Sequence, residues 1–187
     1  MILGDGYIGQ MMEPVIFEKK PTPDLPKKEW ALTGAKERPS NLIKTLDLNP
    51  VTLEQRNLKI YSKLQEMTNR EVRVEQHLTD DAEIIIAAYG TVARIAKTAI
   101  QVLRKKGVKV GLIRPITLYP FPYKTFADIT RHVKKILVVE MSLGQMIEDV
   151  KLGVCGKADV SFYGRVGGMV PSYEEIIAEI EKLTKKA

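Results

Sequence analysis

The feature that most constrains the fold is an uninterrupted apolar run at residues 84–88, Ile-Ile-Ile-Ala-Ala, which ends at Gly90. A short, unalternated run rich in β-branched residues predicts a strand buried on both faces, as in parallel sheets covered by helices. Apolar residues then recur every three or four positions from Val92 to Leu103, which predicts a helix that Thr91 caps and Gly107 ends. This order predicts the first half of a βαβ unit.

The remainder of the chain continues the alternation of strand and helix. Further buried strands are predicted at residues 108–113, 136–140 and 160–163. Helices are predicted to begin at Pro122, at Ser142 or Gly144, and at Ser172, where Glu175 completes a capping box. The pattern therefore predicts an α/β fold with three layers and a doubly wound, mostly parallel sheet.

The N-terminal third does not follow this alternation. Met1–Leu3 looks like the end of a strand and Gly4-Asp5-Gly6 like a turn, so we expect the chain to begin inside a larger domain. Residues 18–52 contain five prolines and several lysines, which is typical of an extended connector that crosses a neighbouring domain or subunit. We expect residues up to about Leu48 to be poorly ordered unless a partner chain orders them.

A helix is predicted after the connector, capped by Asn49 or Thr52. Its apolar pattern continues weakly to Leu78, whereas the alternation at residues 72–75 favours a short edge strand instead. Both interpretations of this segment fit the sequence.

The net charge of +6 does not indicate a nucleic-acid site. The basic residues cluster at predicted helix ends or alternate with acids, without the aromatic residues that a basic nucleic-acid stripe carries. No apolar run is long enough to span a bilayer, and no secretory signal pattern is present. The single cysteine, Cys155, is interpreted as a small buried side chain in a cytoplasmic protein.

The candidate site lies at the rim, by which we mean the loops at the carboxyl ends of the predicted parallel strands. Its residues are Gly90, Thr91, Arg114, Glu140, Ser142, Gly144, Arg165, Gly167 and Gly168. One interpretation is an anion or partner site. The other is that Glu140 pairs with Arg114 or Arg165 and that the glycines only form tight turns. Because a buried carboxylate must be paired, we expect an arginine or backbone N–H groups against Glu140.

No catalytic or metal-binding set is visible in the sequence. His77 and His132 have no acid or nucleophile at a useful spacing, and no cysteine–histidine cluster has metal spacing. The Gly4-Asp5-Gly6 triplet resembles the start of a thiamine diphosphate motif, but the Asn-Asn pair of that motif occurs nowhere in the chain. A plain turn is the preferred interpretation of the triplet.

Five ordered stretches nevertheless carry a family resemblance. They are residues 5–14 (DGYIGQMMEP), 88–94 (AYGTVAR), 114–122 (RPITLYPFP), 139–146 (VEMSLGQM) and 162–168 (FYGRVGG). Together they are similar to the α subunit of 2-oxoacid:ferredoxin oxidoreductases, especially the type that acts on branched-chain or 2-oxoglutarate-like substrates.

The resemblance implies a domain organisation and a reaction. Residues 1–17 would be the tail of a thiamine diphosphate domain of the pyrimidine type, residues 18–52 a connector, and residues 53–187 a domain like the C-terminal domain of transketolase. The implied reaction is oxidative decarboxylation of a 2-oxoacid with coenzyme A, with electrons passing to ferredoxin. The parallel strands would then lie in the order 108–113, 83–89, 136–140 and 160–163.

The resemblance also implies that the cofactors belong to the assembled complex. Thiamine diphosphate, Mg²⁺, iron–sulfur clusters and coenzyme A would bind there rather than to this chain alone, together with β and γ/δ subunits. The chain would supply assembly surface and a rim that faces coenzyme A or other subunits. The alternative is a stand-alone, non-catalytic α/β module that binds a nucleotide or another anion.

Overall fold

The computed structural model describes residues 1–18 and 24–185. They form two compact units: Met1–Met11 with Glu66–Ala187, which we call the α/β unit, and Met12–Gln65, which we call the arm. The predicted boundaries at residues 17 and 52 do not coincide with this division. The assignment of residues 1–17 to a truncated thiamine diphosphate domain stays a prediction.

Eleven elements follow one another along the described residues. They are α1 (Gly6–Gln10), α2 (Pro50–Arg70), β1 (Val74–His77), β2 (Ile84–Ala87), α3 (Gly90–Lys105), β3 (Val110–Pro115), α4 (Tyr123–Ile129), β4 (Lys135–Glu140), α5 (Met146–Val154), β5 (Asp159–Gly164) and α6 (Tyr173–Lys185).

The five strands form one sheet in the order β1-β3-β2-β4-β5. The four strands from β2 onward pair in parallel, and β1 pairs with β3 in antiparallel register, with Val74 opposite Pro115. The predicted order of the parallel strands is therefore confirmed. Chain order reverses between β2 and β4, because β3 lies on one side of β2 and the later strands on the other.

Helices cover both faces of the sheet. Ile84 and Ile86 of β2 point to the face covered by α3 and α6, whereas Ile85 and Ala87 point to the face covered by α4 and α5. This two-sided burial is the reason that the β2 sequence is apolar without alternation. The predicted three-layer, doubly wound α/β fold is confirmed.

The edge strand β1 settles the ambiguity at residues 72–78. The helix α2 ends at Arg70, and the strand begins at Val74. Strand pairing with β3 outweighs the weak continuation of the helical pattern.

At the start of the sequence, Met1–Leu3 is not a strand, so the expectation that it forms the end of one was wrong.

The arm has local order but no buried core among its described residues. The carboxamide oxygen of Asn49 caps α2 by accepting hydrogen bonds from the backbone N–H groups of Val51 at 3.0 Å and Thr52 at 3.3 Å. The Asn41 side chain donates to the carbonyls of Glu29 and Ala31 at 2.7 and 3.1 Å. Large apolar side chains remain exposed, for example Phe17 at 91% and Leu48 at 86%.

Candidate functional site

The rim loops after β2 and β4 lie side by side, because these two parallel strands are neighbours and Ala87 is level with Val138. This is the point at which the strand order reverses, where doubly wound sheets open a crevice. The strand ends at Tyr89 and Glu140 are therefore neighbours, near enough for the Glu140 charge to act on the Tyr89 hydroxyl.

Glu140 is the most buried charged side chain described, with 1% of its surface exposed. Its carboxylate accepts hydrogen bonds from the backbone N–H groups of Gln145 at 3.1 Å, Met146 at 3.1 Å and Ile147 at 3.0 Å. The Ser142 hydroxyl donates to it at 3.0 Å. The first amides of α5 thus compensate the loss of water around the charge.

This network changes two sequence predictions. The helix α5 begins at Met146 rather than at Ser142 or Gly144, because Glu140 takes the amides that would otherwise continue the helix upstream. Ser142 instead accepts a hydrogen bond from the Gly144 N–H at 3.1 Å, within the turn. Gly144 has a φ of +106° and closes this turn against Ile147, which explains why glycine stands there.

Neither rim arginine pairs with Glu140, so the expected arginine pairing was wrong, whereas the expected backbone N–H groups lie against its carboxylate. Arg114 binds Glu75 of the edge strand at 2.7 Å, and Arg165 binds Glu175 of α6 at 2.7 Å. Both guanidinium groups are thereby partly neutralised by carboxylates of neighbouring elements. An anion at the rim would have to compete with these two pairs.

A small pocket of ≈ 130 Å³ opens beside the crevice on the side of α4 and α5. Tyr89, Leu118, Phe121, Gln145, Met146 and Asp149 line it. Burial and, to a smaller extent, the charge of Glu140 raise the pKa of Tyr89. A hydrogen bond between the Tyr123 hydroxyl and Asp149 raises the pKa of Tyr123 to about 12.

Thr91 does not cap α3, contrary to the sequence prediction. The residue before that helix is Tyr89, and its side chain makes no capping hydrogen bond. The Thr91 hydroxyl donates instead to Oδ2 of Asp5, at 2.8 Å. Nothing local in the sequence signals a contact between residues so far apart, and it was missed for that reason.

The loop after β5 is open and rich in glycine. Gly167 and Gly168 have φ values of +66° and +84°, and both are exposed. The Tyr7 hydroxyl donates to the Gly168 carbonyl at 3.4 Å. The N-terminal residues thus reach two of the predicted rim loops, at Thr91 and at Gly168.

The described residues contain no group of three potential metal ligands among their histidine, cysteine and acidic side chains. Cys155 lies at the end of α5, where its backbone adopts the left-handed conformation. Its side chain is exposed, so the expected burial was wrong. Nε2 of His132 lies 3.1 Å from the Thr79 carbonyl oxygen. In the part of the chain that the structure describes, no helix is long and apolar enough to cross a membrane.

The chain is similar to known proteins along nearly its whole length. It is 37% identical over 183 residues to ketoisovalerate oxidoreductase subunit VorB of Methanothermobacter marburgensis, a match that covers 98% of this chain and 52% of the relative. The chain therefore spans about half the length of this curated relative.

Two solved structures share the fold. A 2-oxoglutarate:ferredoxin oxidoreductase from Magnetococcus marinus, with 2-oxoglutarate, coenzyme A and succinyl-CoA bound, matches 73% of this chain and 24% of its own chain at 19% identity, with a TM-score of 0.61. An inactive β4 tetramer of a split-gene transketolase matches 59% of this chain and 40% of its own at 15% identity, with a TM-score of 0.50. At these identities the likeness concerns the fold alone.

Residues 82–176 match the family model described as pyruvate:ferredoxin oxidoreductase core domain II. This range runs from the start of β2 into α6, so it contains the crevice, the Glu140 network and every predicted rim residue. The chain belongs to the pyruvate:ferredoxin oxidoreductase core domain II family.

Proposed function

We propose that the chain is part of the α subunit of a 2-oxoacid:ferredoxin oxidoreductase, which decarboxylates a 2-oxoacid such as 2-oxoisovalerate, 2-oxoglutarate or pyruvate with coenzyme A. The observation that carries the proposal is the similarity to ketoisovalerate oxidoreductase subunit VorB, which covers 98% of this chain and so includes both the arm and the α/β unit. A similarity confined to the residues of the sheet would support only a shared fold.

The chain's own residues do not fit the iron–sulfur clusters or the metal ion of such a complex. An iron–sulfur cluster needs several cysteine ligands, and this chain has one. The described residues also offer no cluster of carboxylates and histidines that could hold a divalent metal. The redox and decarboxylation chemistry therefore belongs, in this proposal, to residues outside the given sequence.

The role proposed for this chain is assembly, with the rim facing coenzyme A or other subunits. The arm supports this role, because its described residues expose apolar side chains that a protein in water normally buries. Several rim loops do so as well, for example at Tyr119 and Leu143. Burial of such side chains against β and γ/δ subunits would remove the exposed apolar surface from water.

The alternative is a stand-alone module that binds an anion at the rim. The geometry favours it less, because a carboxylate of the chain itself lies against the first turn of α3 and both rim arginines are paired. A free anion would have to displace these groups.

Co-purification tests the proposal. The chain is co-expressed with tagged partner subunits from the same source, and we expect it to co-elute with them in a fixed ratio. Phe17→Asp and Leu48→Asp in the arm should abolish co-elution, because each places a charge in a buried interface. The matched control is Leu152→Asp on the exposed surface of α5, which should leave co-elution unchanged. Elution of the chain as a free monomer beside the partner subunits would contradict the proposal.

A further inference from the structure

The N-terminal strap, by which we mean residues 4–11, lies across the carboxyl edge of the sheet. It contacts the rim at two places: Asp5 binds Thr91 at the start of α3, and Tyr7 binds the Gly168 carbonyl in the loop after β5. A third contact joins a guanidinium nitrogen of Arg94 to the sulfur of Met11, at 3.6 Å. The strap thus bridges loops of two strands that are not neighbours in the sheet.

Asp5 uses its two carboxylate oxygens for different partners. Oδ1 accepts a hydrogen bond from the Ile8 backbone N–H at 2.8 Å and so caps α1. Oδ2 accepts a hydrogen bond from the Thr91 hydroxyl at 2.8 Å. One carboxylate therefore joins the short helix of the strap to the first turn of a long helix of the α/β unit.

Gly90 lies beside Asp5 at this contact. Its φ is +57°, a conformation that side chains rarely adopt, and a Cβ built there would lie 3.4 Å from Oδ2 of Asp5. A side chain at position 90 would strain the backbone, whereas its Cβ would meet the carboxylate only at ordinary contact distance. Glycine thus permits the left-handed backbone at the first residue of α3, beside the strap.

Apart from these contacts, the described residues bury little of the strap. The helix α1 has five residues and buries none of them, and an isolated helix of this length does not persist in water. Tyr7, Ile8 and Met11 each remain about half exposed, so burial of apolar surface contributes little. Among the described residues, the polar contacts with the rim are therefore the main interactions that order the strap.

The electrostatics agree with this view. Burial alone would raise the pKa of Asp5, but hydrogen bonds from the Ile8 N–H and from Thr91 outweigh it, and the pKa of the carboxyl is lowered. Hydrogen bonds that favour the ionised form in this way stabilise the docked state.

We propose that Asp5 is a latch: its carboxylate holds residues 4–11 across the rim, and loss of the Asp5–Thr91 hydrogen bond releases the strap from the first turn of α3 while the sheet stays folded. The latch is a conformational device of the chain itself. It does not depend on the proposed enzymatic function, and its test needs no partner subunit.

Hydrogen exchange measured by mass spectrometry tests the latch on the full chain. The amides of Gly9 and Met11 are hydrogen-bonded only while α1 exists, since they donate to Asp5 and Tyr7 carbonyls. Their protection therefore reports docking of the strap. In Asp5→Asn, the single carbonyl oxygen can still cap α1, but an amide group then replaces the carboxylate oxygen that faces Thr91. We expect exchange in the strap to become about tenfold faster or more, since a hydrogen bond to a charged group is lost.

Matched variants separate the latch from general destabilisation. Thr91→Val removes the hydroxyl and should accelerate exchange in the strap as Asp5→Asn does, whereas Thr91→Ser keeps the hydroxyl and should resemble the wild type. The double variant should exchange no faster than either single variant, because both remove the same bond. Asp24→Asn, at an exposed position of the arm, is the control for loss of one charge.

Two results would overturn the latch. The first is unchanged protection of Gly9 and Met11 in both Asp5→Asn and Thr91→Val. The second is an equal loss of protection in Ile84–Ala87, because that would mean that the whole α/β unit loosens rather than the strap alone.

Discussion

The carboxylate of Glu140, at the end of β4, accepts a hydrogen bond from the backbone N–H of Ile147, in the first turn of α5, at 3.0 Å. The two residues are joined by a loop that turns back on itself. Since Glu140 is almost fully buried, its charge is satisfied by these amides and by Ser142 rather than by water or an arginine. The position of the loop beside the crevice thus depends on one carboxylate.

We predict that Glu140→Gln lowers the free energy of unfolding by about 1–3 kcal/mol. The variant replaces one acceptor oxygen by an amide group, so that a buried backbone N–H meets another donor. Urea unfolding measures the change. The parallel sheet should persist, with an unchanged far-ultraviolet circular dichroism spectrum.

Glu83→Gln is the control for this experiment, because Glu83 is exposed and its ion pair with Lys109 is long, at 3.5 Å. Its free energy of unfolding should lie within about 0.5 kcal/mol of the wild type. Equal stabilities of Glu140→Gln and Glu83→Gln would contradict the role given to the Glu140 network.

The next prediction concerns the close packing of β5 against the loop after β4. A Cβ at Gly164 would collide with the Ser142 carbonyl oxygen and, at 2.5 Å, with the Phe162 ring. Gly164→Ala should therefore lower the free energy of unfolding by about 1–3 kcal/mol, measured by urea unfolding. Gly4→Ala, where a Cβ meets nothing within 4 Å, should have little effect. A neutral Gly164→Ala would mean that the rim is looser than described.

A third prediction uses the pH dependence of stability. A hydrogen bond from Lys97 and, after an opposing effect of burial, contacts with Arg114 lower the pKa of Glu75 below its usual value of 4.5. The unfolded chain therefore binds more protons than the folded chain near this pH, so the contribution of Glu75 is present above pH 4.5 and lost as the pH falls through the folded-state pKa.

Glu75→Gln should consequently be less stable than the wild type at neutral pH. The expected loss is about 1 kcal/mol, because the ion pairs of Glu75 with Lys97 and Arg114 are partly exposed. The difference between the two proteins should shrink below pH 4.5, as urea unfolding at a series of pH values would reveal. Glu54→Gln on the exposed surface of α2 should show no such trend. A difference that stays constant with pH would rule out the proposed electrostatic contribution.

The arm and the strap should differ in hydrogen exchange. The sequence alone predicts weak order up to about Leu48, yet residues 1–11 group with the α/β unit and bind its rim. We therefore expect Gly9 and Met11 to be protected in the isolated chain and residues 24–48 to exchange rapidly until partner subunits are added. Protection of residues 24–48 equal to that of Ile84–Ala87 in a proven monomer would refute the assembly role of the arm.

The sheet could be predicted because its signals are local. The two-sided apolar run of β2, the helical period of α3 and the capping box of Ser172 and Glu175 each lie within a few residues. The order of the parallel strands required the family resemblance as well, since residues 84–87 alone do not say which neighbour they pair with.

The side-chain partners at the rim could not be predicted in the same way. Arg114 pairs with Glu75 only because the edge strand β1 lies beside β3, and the sequence left that strand as one of two alternatives. The Thr91 hydroxyl donates to Asp5 rather than capping α3, because the fold places Asp5 beside it. Contacts between distant residues depend on tertiary placement, which propensities do not contain.

The most direct test of the central claim is 2-oxoacid-dependent reduction of a viologen dye, measured with coenzyme A, thiamine diphosphate and Mg²⁺. Three samples are assayed: the partner subunits from the same source without the chain, the same subunits with the chain, and the chain alone. Each is tested with 2-oxoisovalerate, 2-oxoglutarate and pyruvate. We predict that the chain alone neither binds thiamine diphosphate nor reduces the dye, and that its addition to the partner subunits produces or strongly raises turnover of at least one 2-oxoacid. Turnover by the isolated chain, or the same rate from the partner subunits with and without it, would contradict the account.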